Sequence, residues 1–472
     1  MALIAGGNQY REPQANVGFT NRRSNSQHEI PHFTKASQIA TTVNECSLMP
    51  MIVIVGAGLA GLSAARTLHG NGYHDFLILE QSSHPGGRVW TINHHGFRLD
   101  QGFQVALSSY PVFQSRLSLQ EFSPHAFGSG ALVEEQAGKL HLLANPLRHP
   151  KLLFNALRSN LPLADRLRLL RLAGSCLRQD RASPQRDSGI SSSDFLQQHG
   201  FSQSMIRSFF EPFFGGVFLD PELQTDAALL RYYLKHFVIG RACLPSGGIG
   251  RISEDLAESI PHKRIRYHCG VENLGNSKNG WHLKLTDGTT QKAEQVILAC
   301  DPASTCRLLD WPIPEFHRTR VVYYSSKHPV YDGPWLVLPS LKPRLAQHFV
   351  QISNIDPSLT PKGMHLLSAT VVDDQELDPE IIDQRVAGEI MRLFPNSKAD
   401  LQPLQQIVVP RALPKQNAGF RKRYQELQNG LSETLHLAGD LNCNASLQNA
   451  LESGHQAAQR ALMKTVNHSF VR

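Results

Sequence analysis

The sequence predicts an α/β protein built on a parallel sheet. Three observations carry this. Strand-type and helical runs alternate after residue 50, a glycine turn joins the first strand to the first helix, and strand patterns return in the second half. A length of 472 residues suits two or three domains. An apolar fraction of 41% against 18% charged belongs to a globular protein with a large core. No run of about 18 uncharged apolar residues occurs, so no membrane-spanning helix is expected. The net charge of +7 favours anionic surfaces without identifying one.

The first fifty residues are rich in Asn, Ser, Thr, Gln and Arg, show no amphipathic period, and read as disordered. They lack the apolar core of a secretory signal, and Glu12, Glu29 and Glu45 count against a transit peptide. An alternative is that translation starts at Met51. From there MIVIVG (51–56) reads as a buried parallel strand, LAGLSAARTLHGNG (59–72) as a helix, and FLILE (76–80) as the second strand. A Leu/Arg-rich stretch then runs from about 145 to 186, and aromatic residues crowd 209–237. Asp287-Gly288, between two β-type runs, signals a hairpin. A β-rich section covers roughly 320–372, a polar helix about 379–394, a strand 435–440 and a last helix about 446–464. The seven cysteines form no CxxC pair and read as reduced thiols. The histidines are scattered without metal spacing, so no metal site is expected.

Gly56-Ala57-Gly58-Leu59-Ala60-Gly61 is GxGxxG between strand and helix, where a Rossmann-type dinucleotide site needs it. Gly56 permits a tight turn, Gly58 lets backbone approach a pyrophosphate, and Gly61 lets helix and strand pack closely. The helix N-terminus offers unpaired N–H groups to phosphates. Glu80 ends the second strand as a carboxylate for ribose hydroxyls, which disfavours a 2′-phosphate. Gly86, Gly87 and Arg88 follow at once; two glycines admit a ligand, and a guanidinium matches phosphate oxygens.

With Thr91, Gly96, Asp100 and Gly102, this run resembles the flavin amine oxidase superfamily, which includes monoamine oxidases, protoporphyrinogen oxidases and phytoene desaturases. The far end agrees: LHLAGD followed by NASLQNALESGHQAA resembles the family's C-terminal flavin motif. The resemblance implies FAD as cofactor, Arg88 near the pyrophosphate or flavin, Val271 at the adenine, and Gly439 and Asp440 near the ribityl–pyrophosphate region. It implies a last helix whose start, at Leu447, points at the flavin pyrimidine ring. Gln448 and Asn449 depart from the pattern, Asn449 standing where relatives usually have Gly. Lys327 is a loose match to the lysine that relatives place by the flavin. FFEPFFGGVFLDPELQT (209–225) and LPSGGIGRISEDLAESI (244–260) resemble the desaturase-like branch, whose relatives wall a substrate cavity there.

The expected fold is therefore a Rossmann-type FAD-binding domain, with a parallel sheet plus a small antiparallel sheet, and an interrupted α+β substrate domain. The FAD-binding domain takes 51–135, 240–305 and 425–472, and the substrate domain takes 136–239 and 306–424. The expected function is hydride removal from a small apolar or polyene-like substrate, with the flavin reoxidised by O₂ or a quinone. The alternatives are a redox-neutral flavoenzyme such as a carotenoid isomerase, or a non-catalytic flavoprotein. Arginines among the leucines of 146–186 suggest peripheral contact with an anionic membrane. No nucleic-acid partner is expected. The reading places the protein in the cytoplasm and leaves organelle targeting by residues 1–50 open.

Overall fold

The computed structural model describes residues 52–136, 138–144, 162–178, 187–278, 280–372 and 377–469. The expectations for residues 1–50 and for 145–161 and 179–186 of the Leu/Arg-rich stretch lie outside these.

The first strand, β1 (Ile52–Val55), is buried at every position, as a central parallel strand covered on both faces must be. It pairs in parallel with β2 (Phe76–Leu79) on one side and with Gln295–Leu298 on the other. Ile265–Arg266 and Leu435–Leu437 complete a five-stranded parallel sheet at its two edges. Side chains alternate across it. Ile52 and Ile54 pack on the helix α1 (Leu59–Gly70) and on Ala457, Ala458 and Ala461 of the last helix, Leu447–Ser469. Val53 and Val55 face Trp281, Leu283 and Leu285 of a three-stranded antiparallel sheet. Asp287-Gly288 does make the hairpin turn of that sheet, with Gly288 at φ +81°.

A seven-stranded sheet lies beyond, running Gln402–Pro414, Phe316–Ser326, His365–Val372, Ala346–Gln351, Leu336–Leu338, Gly130–Gln136 and Lys139–Ala144. Its described pairings are antiparallel except that of Leu336–Leu338 with Gly130–Gln136. The polar helix appears as Pro379–Leu393, and its Ile382, Val386 and Ile390 cover one face of this sheet. The aromatic segment folds as helices Glu211–Phe218 and Ala227–Ile239, and Leu163–Leu177 packs with them. The strand expected over 435–440 stops at Leu437, because the chain turns at Gly439, φ +93°.

The two ends of the chain meet where α1 crosses the last helix. A Cβ on Gly454 would lie 2.0 Å from the Ala60 carbonyl oxygen, so the backbones touch with no side chain between them. The Ser63 hydroxyl donates to the Leu451 carbonyl at 2.6 Å in the same contact. Gly454→Val must push the helices apart, and a loss of stability on the order of 3 kcal/mol is expected from overpacking a backbone contact. Urea denaturation of the variant checks this; a loss under about 0.5 kcal/mol, the range of ordinary surface changes, would contradict the contact.

Candidate functional site

Each motif glycine has its own steric reason. Gly56 sits at φ +101°, and a Cβ there would lie 2.9 Å from the Ala299 carbonyl oxygen. Gly61 passes so close to the preceding turn that a Cβ would come within 1.9 Å of the Gly56 oxygen. Gly58 differs: its φ is −69° and a Cβ there would meet nothing within 4 Å, because it faces a cavity. No side chain caps the first turn of α1, so its leading N–H groups remain available to a ligand.

Glu80 follows β2 and fixes the loop around the turn. One carboxylate oxygen accepts from the Ala57 N–H at 2.6 Å, and the other accepts from the Ser82 N–H and hydroxyl, both at 2.8 Å. Gly86 donates its N–H to the Ala57 carbonyl at 2.8 Å, which lays the double glycine beside Gly58. Arg88 is more committed than the sequence suggested. It donates to the Ala412 carbonyl at 2.7 Å and to the Asp440 carboxylate at 2.6 Å, joining segments 352 positions apart. Burial works against its charge, but the Asp440 carboxylate outweighs burial and holds the guanidinium above its ordinary pKa.

At the far end Gly439 donates its N–H to the Ser453 hydroxyl at 2.8 Å, and a Cβ on it would meet nothing within 4 Å. The Ser446 hydroxyl accepts from the Asn449 N–H at 3.1 Å and caps the last helix beside Leu447. Asn449 is helical and absent from the positive-φ positions, so the tolerance of Asn for unusual angles is not used here. Gln448 accepts from the Val112 N–H at 2.8 Å inside the core.

Gly56, Gly58, Leu59, Ala60, Glu80, Gly86, Gly87, Arg88, Val271, Gly439, Asp440 and Leu447 all line one cavity of about 1300 Å³. That exceeds the ~300–1,000 Å³ of an ordinary ligand pocket and leaves room for a cofactor and a second molecule. Two predicted residues stand apart. Gly61 serves the turn from behind, and Lys327 is exposed after its strand and outside the lining. No lysine is among the described lining residues.

The rest of the cavity wall is mostly apolar among the described residues. Helical spacing divides the five phenylalanines of the FFEPFFGGVF segment: Phe209 and Phe213 line the cavity, while Phe210, Phe214 and Phe218 fill the helical core. Phe103, Phe127 and Phe237 complete the aromatic wall. The sequence reading missed His348, Tyr110 and Arg411, which line it together with Asp301. Arg411 pairs with Asp301 at 3.1 Å. Asp301 also caps the helix Pro302–Leu309. Burial pushes the Cys300 and Cys443 thiols up to about 12, which keeps both protonated and unreactive at neutral pH.

A family model described as flavin containing amine oxidoreductase matches residues 59–462. Polyamine oxidase 1 of Zea mays is 43% identical over 81 residues, 16% of this chain and 16% of that protein. Phytoene desaturase of Cercospora nicotianae is 39% identical over 61 residues, 13% of this chain and 10% of that protein. The chain thus aligns with only a small part of the length of these curated relatives. The crystal structure of a CLA-producing fatty acid isomerase from P. acnes superposes with a TM-score of 0.65 at 16% identity, covering 87% of this chain and 98% of that one. At that identity the likeness is one of fold.

The open face of Gly58 and the packed face of Gly61 make opposite predictions. Gly58→Val should keep the apoprotein's stability within about 0.5 kcal/mol, since the side chain enters empty space, yet abolish flavin binding. Gly61→Val should unfold the protein or cost on the order of 3 kcal/mol or more. Thermal melts and flavin absorbance of the two variants check this; flavin retained by Gly58→Val would contradict the assignment.

Proposed function

This chain belongs to the flavin-containing amine oxidoreductase family, with FAD as its cofactor, and we propose that it takes a hydride from a C–H or C–N bond of an apolar substrate. The observation that carries this is the continuity of one cavity, from the glycine-lined cradle to an aromatic chamber. In this reading the segments 51–135, 240–305 and 425–472 hold the cofactor, and 136–239 and 306–424 supply most of the substrate walls.

Gly58 and Gly87 admit the pyrophosphate, and the uncapped N–H groups at the start of α1 donate to it. Glu80 accepts from the ribose with the lone pairs its loop contacts leave open. Arg88, held by Asp440 and Ala412, turns its remaining N–H groups toward the cofactor. Val271 and Gly439, which line the cavity, would hold the adenine and the ribityl chain. The last helix, starting at Leu447 beside the cavity, would offer its positive end to the pyrimidine ring. Bound FAD supplies the electron acceptor. The chamber itself excludes water and holds the substrate's reacting carbon in place. The acceptor that reoxidises the flavin is O₂ or a quinone.

The aromatic chamber favours a polyene-like hydrocarbon over an amine, since among the described lining residues no acidic pair stands within its aromatic walls. Anaerobic mixing tests the reaction. A polyene substrate should bleach the 450 nm flavin band stoichiometrically, and a simple diamine should not. Conversion only after prior flavin reduction would instead indicate a redox-neutral isomerase. Full flavin occupancy with no reaction of any candidate would indicate a non-catalytic flavoprotein.

The entrance suggests where the substrate comes from. Helix Leu163–Leu177 turns Leu172 and Cys176 inward and is anchored by buried Asp165, which accepts from the Ser202 N–H at 3.0 Å. Leu163, Leu167 and Leu170 are 50–66% exposed on another face and also border the cavity. Arg171 within the same helix and Arg178 at its end are exposed, while Arg168 is held by Asp165 at 3.0 Å. We therefore extend the proposal to peripheral contact with an anionic bilayer, basic residues meeting headgroups and leucines entering the acyl boundary. Liposomes containing phosphatidylglycerol should sediment the protein, and Leu167→Glu with Leu170→Glu should lower its affinity for them at least about tenfold, roughly the loss of one buried leucine contact. Equal recovery with neutral and anionic vesicles would contradict it.

A further inference from the structure

Among the described residues that line the chamber, one polar side chain stands out. His348 is 4% exposed and lines the cavity, and neither ring nitrogen has a hydrogen-bond partner. Its edge-to-face neighbour is Phe103, ring centroids 4.8 Å apart. A buried imidazole with neither donor nor acceptor met is unfavourable and rare in folded proteins.

The chain goes out of its way to put it there. In strand Ala346–Gln351 the register against His365–Val372 slips between Ala346 and His348: Ala346 faces Val371, and His348 faces Thr370. Gln347 is the extra residue of a β-bulge. Ala346 and Phe349 both belong to the core under helix Pro379–Leu393. Strict alternation would send His348 to that core with Ala346. The bulge sends it to the opposite face, where Thr370 also borders the cavity.

Space is cleared for the ring as well. A Cβ on Gly216 would lie 2.2 Å from His348 Nδ1 and 2.5 Å from Cε1. The second glycine of the FFGG segment is thus the seat of the imidazole. It closes that edge of the ring.

We propose that His348 is the specificity-determining residue of the chamber, hydrogen-bonding a single oxygen function, hydroxyl or carbonyl, on an otherwise apolar substrate. The proposal rests on the apolar-substrate reading above and narrows it from a pure hydrocarbon to an oxygenated one. Burial pushes the imidazole down to about 4, so at neutral pH it is uncharged and offers one donor and one acceptor. A neutral ring can serve a hydroxyl or a carbonyl, and it offers no charge to a carboxylate.

Paired probes on the flavin-loaded protein test this, with farnesol against the hydrocarbon farnesene, each titrated by its perturbation of the flavin absorbance band. Wild type should bind farnesol about tenfold more tightly than farnesene, the worth of one neutral hydrogen bond in an apolar site. His348→Phe should bring the ratio to about 1 while leaving flavin content within about twofold, since it keeps an aromatic ring and removes both hydrogen-bonding atoms. His348→Gln should restore part of the preference. A wild-type ratio near 1, or one that His348→Phe leaves unchanged, overturns the proposal and leaves the apolar chamber standing. Binding of neither probe overturns the chamber reading and the proposal with it.

Discussion

The structure depends on one crossing, at which three backbone segments approach with no side chains between them. The turn after β1 passes over Gly61, and α1 rests at Ala60 against Gly454 of the last helix. This close approach docks the last helix on α1 and brings its start, nearly 400 residues away in sequence, to the same cavity. Burial of β1 on both faces sets the depth of the sheet. The crossing sets the distance between the two halves of the cradle. Arg88 then ties the cradle across its width, from the double-glycine loop to Asp440 and to the carbonyl of Ala412 in the seven-stranded sheet.

From that frame the chemistry divides by surface type. Backbone N–H groups, glycines and a few fixed charges face the cofactor half, as recognition of a phosphate-bearing dinucleotide requires. Aromatic and aliphatic side chains face the other half, where an apolar molecule would lose its water. The two halves share one space, so binding in the second places a substrate against whatever occupies the first. The Tyr323 hydroxyl donates to the Asp100 carbonyl at 2.8 Å and pins the seven-stranded sheet over the glycine-rich segment. The Tyr233 hydroxyl donates to the Ala445 carbonyl at 2.9 Å and pins the aromatic helices to the start of the last helix.

Much of the cradle was legible in the sequence because its requirements are local. A tight turn and a close packing contact each demand glycine at a fixed spacing, which Gly56 and Gly61 meet, and Gly58 stands open to the cavity where a ligand would approach. Glu80 was legible as a strand-end acid, but its grip on Ala57 and Ser82 was not, since a side chain's loop contacts leave no periodic trace. The partners of Arg88 lie more than 300 residues away, beyond any pattern of spacing. The division of the phenylalanines into wall and core follows helical geometry, yet deciding which stripe faces the cavity needs the packed structure. His348 escaped because a bulge breaks the alternation that strand reading relies on. Lys327 was chosen by region alone, and the strand carries it into solvent.

We propose that distant segments grip a dinucleotide along its whole length, from the ribose at Glu80 to the flavin ring at Leu447. Calorimetric titration of the apoprotein with FAD and with FMN tests this most directly, because FMN lacks the adenosine half that Glu80 and Val271 would hold. The account predicts one FAD per chain and FMN weaker by at least about a hundredfold, equivalent to roughly 2.7 kcal/mol. Equal affinity for the two nucleotides, or no binding of FAD, would contradict it.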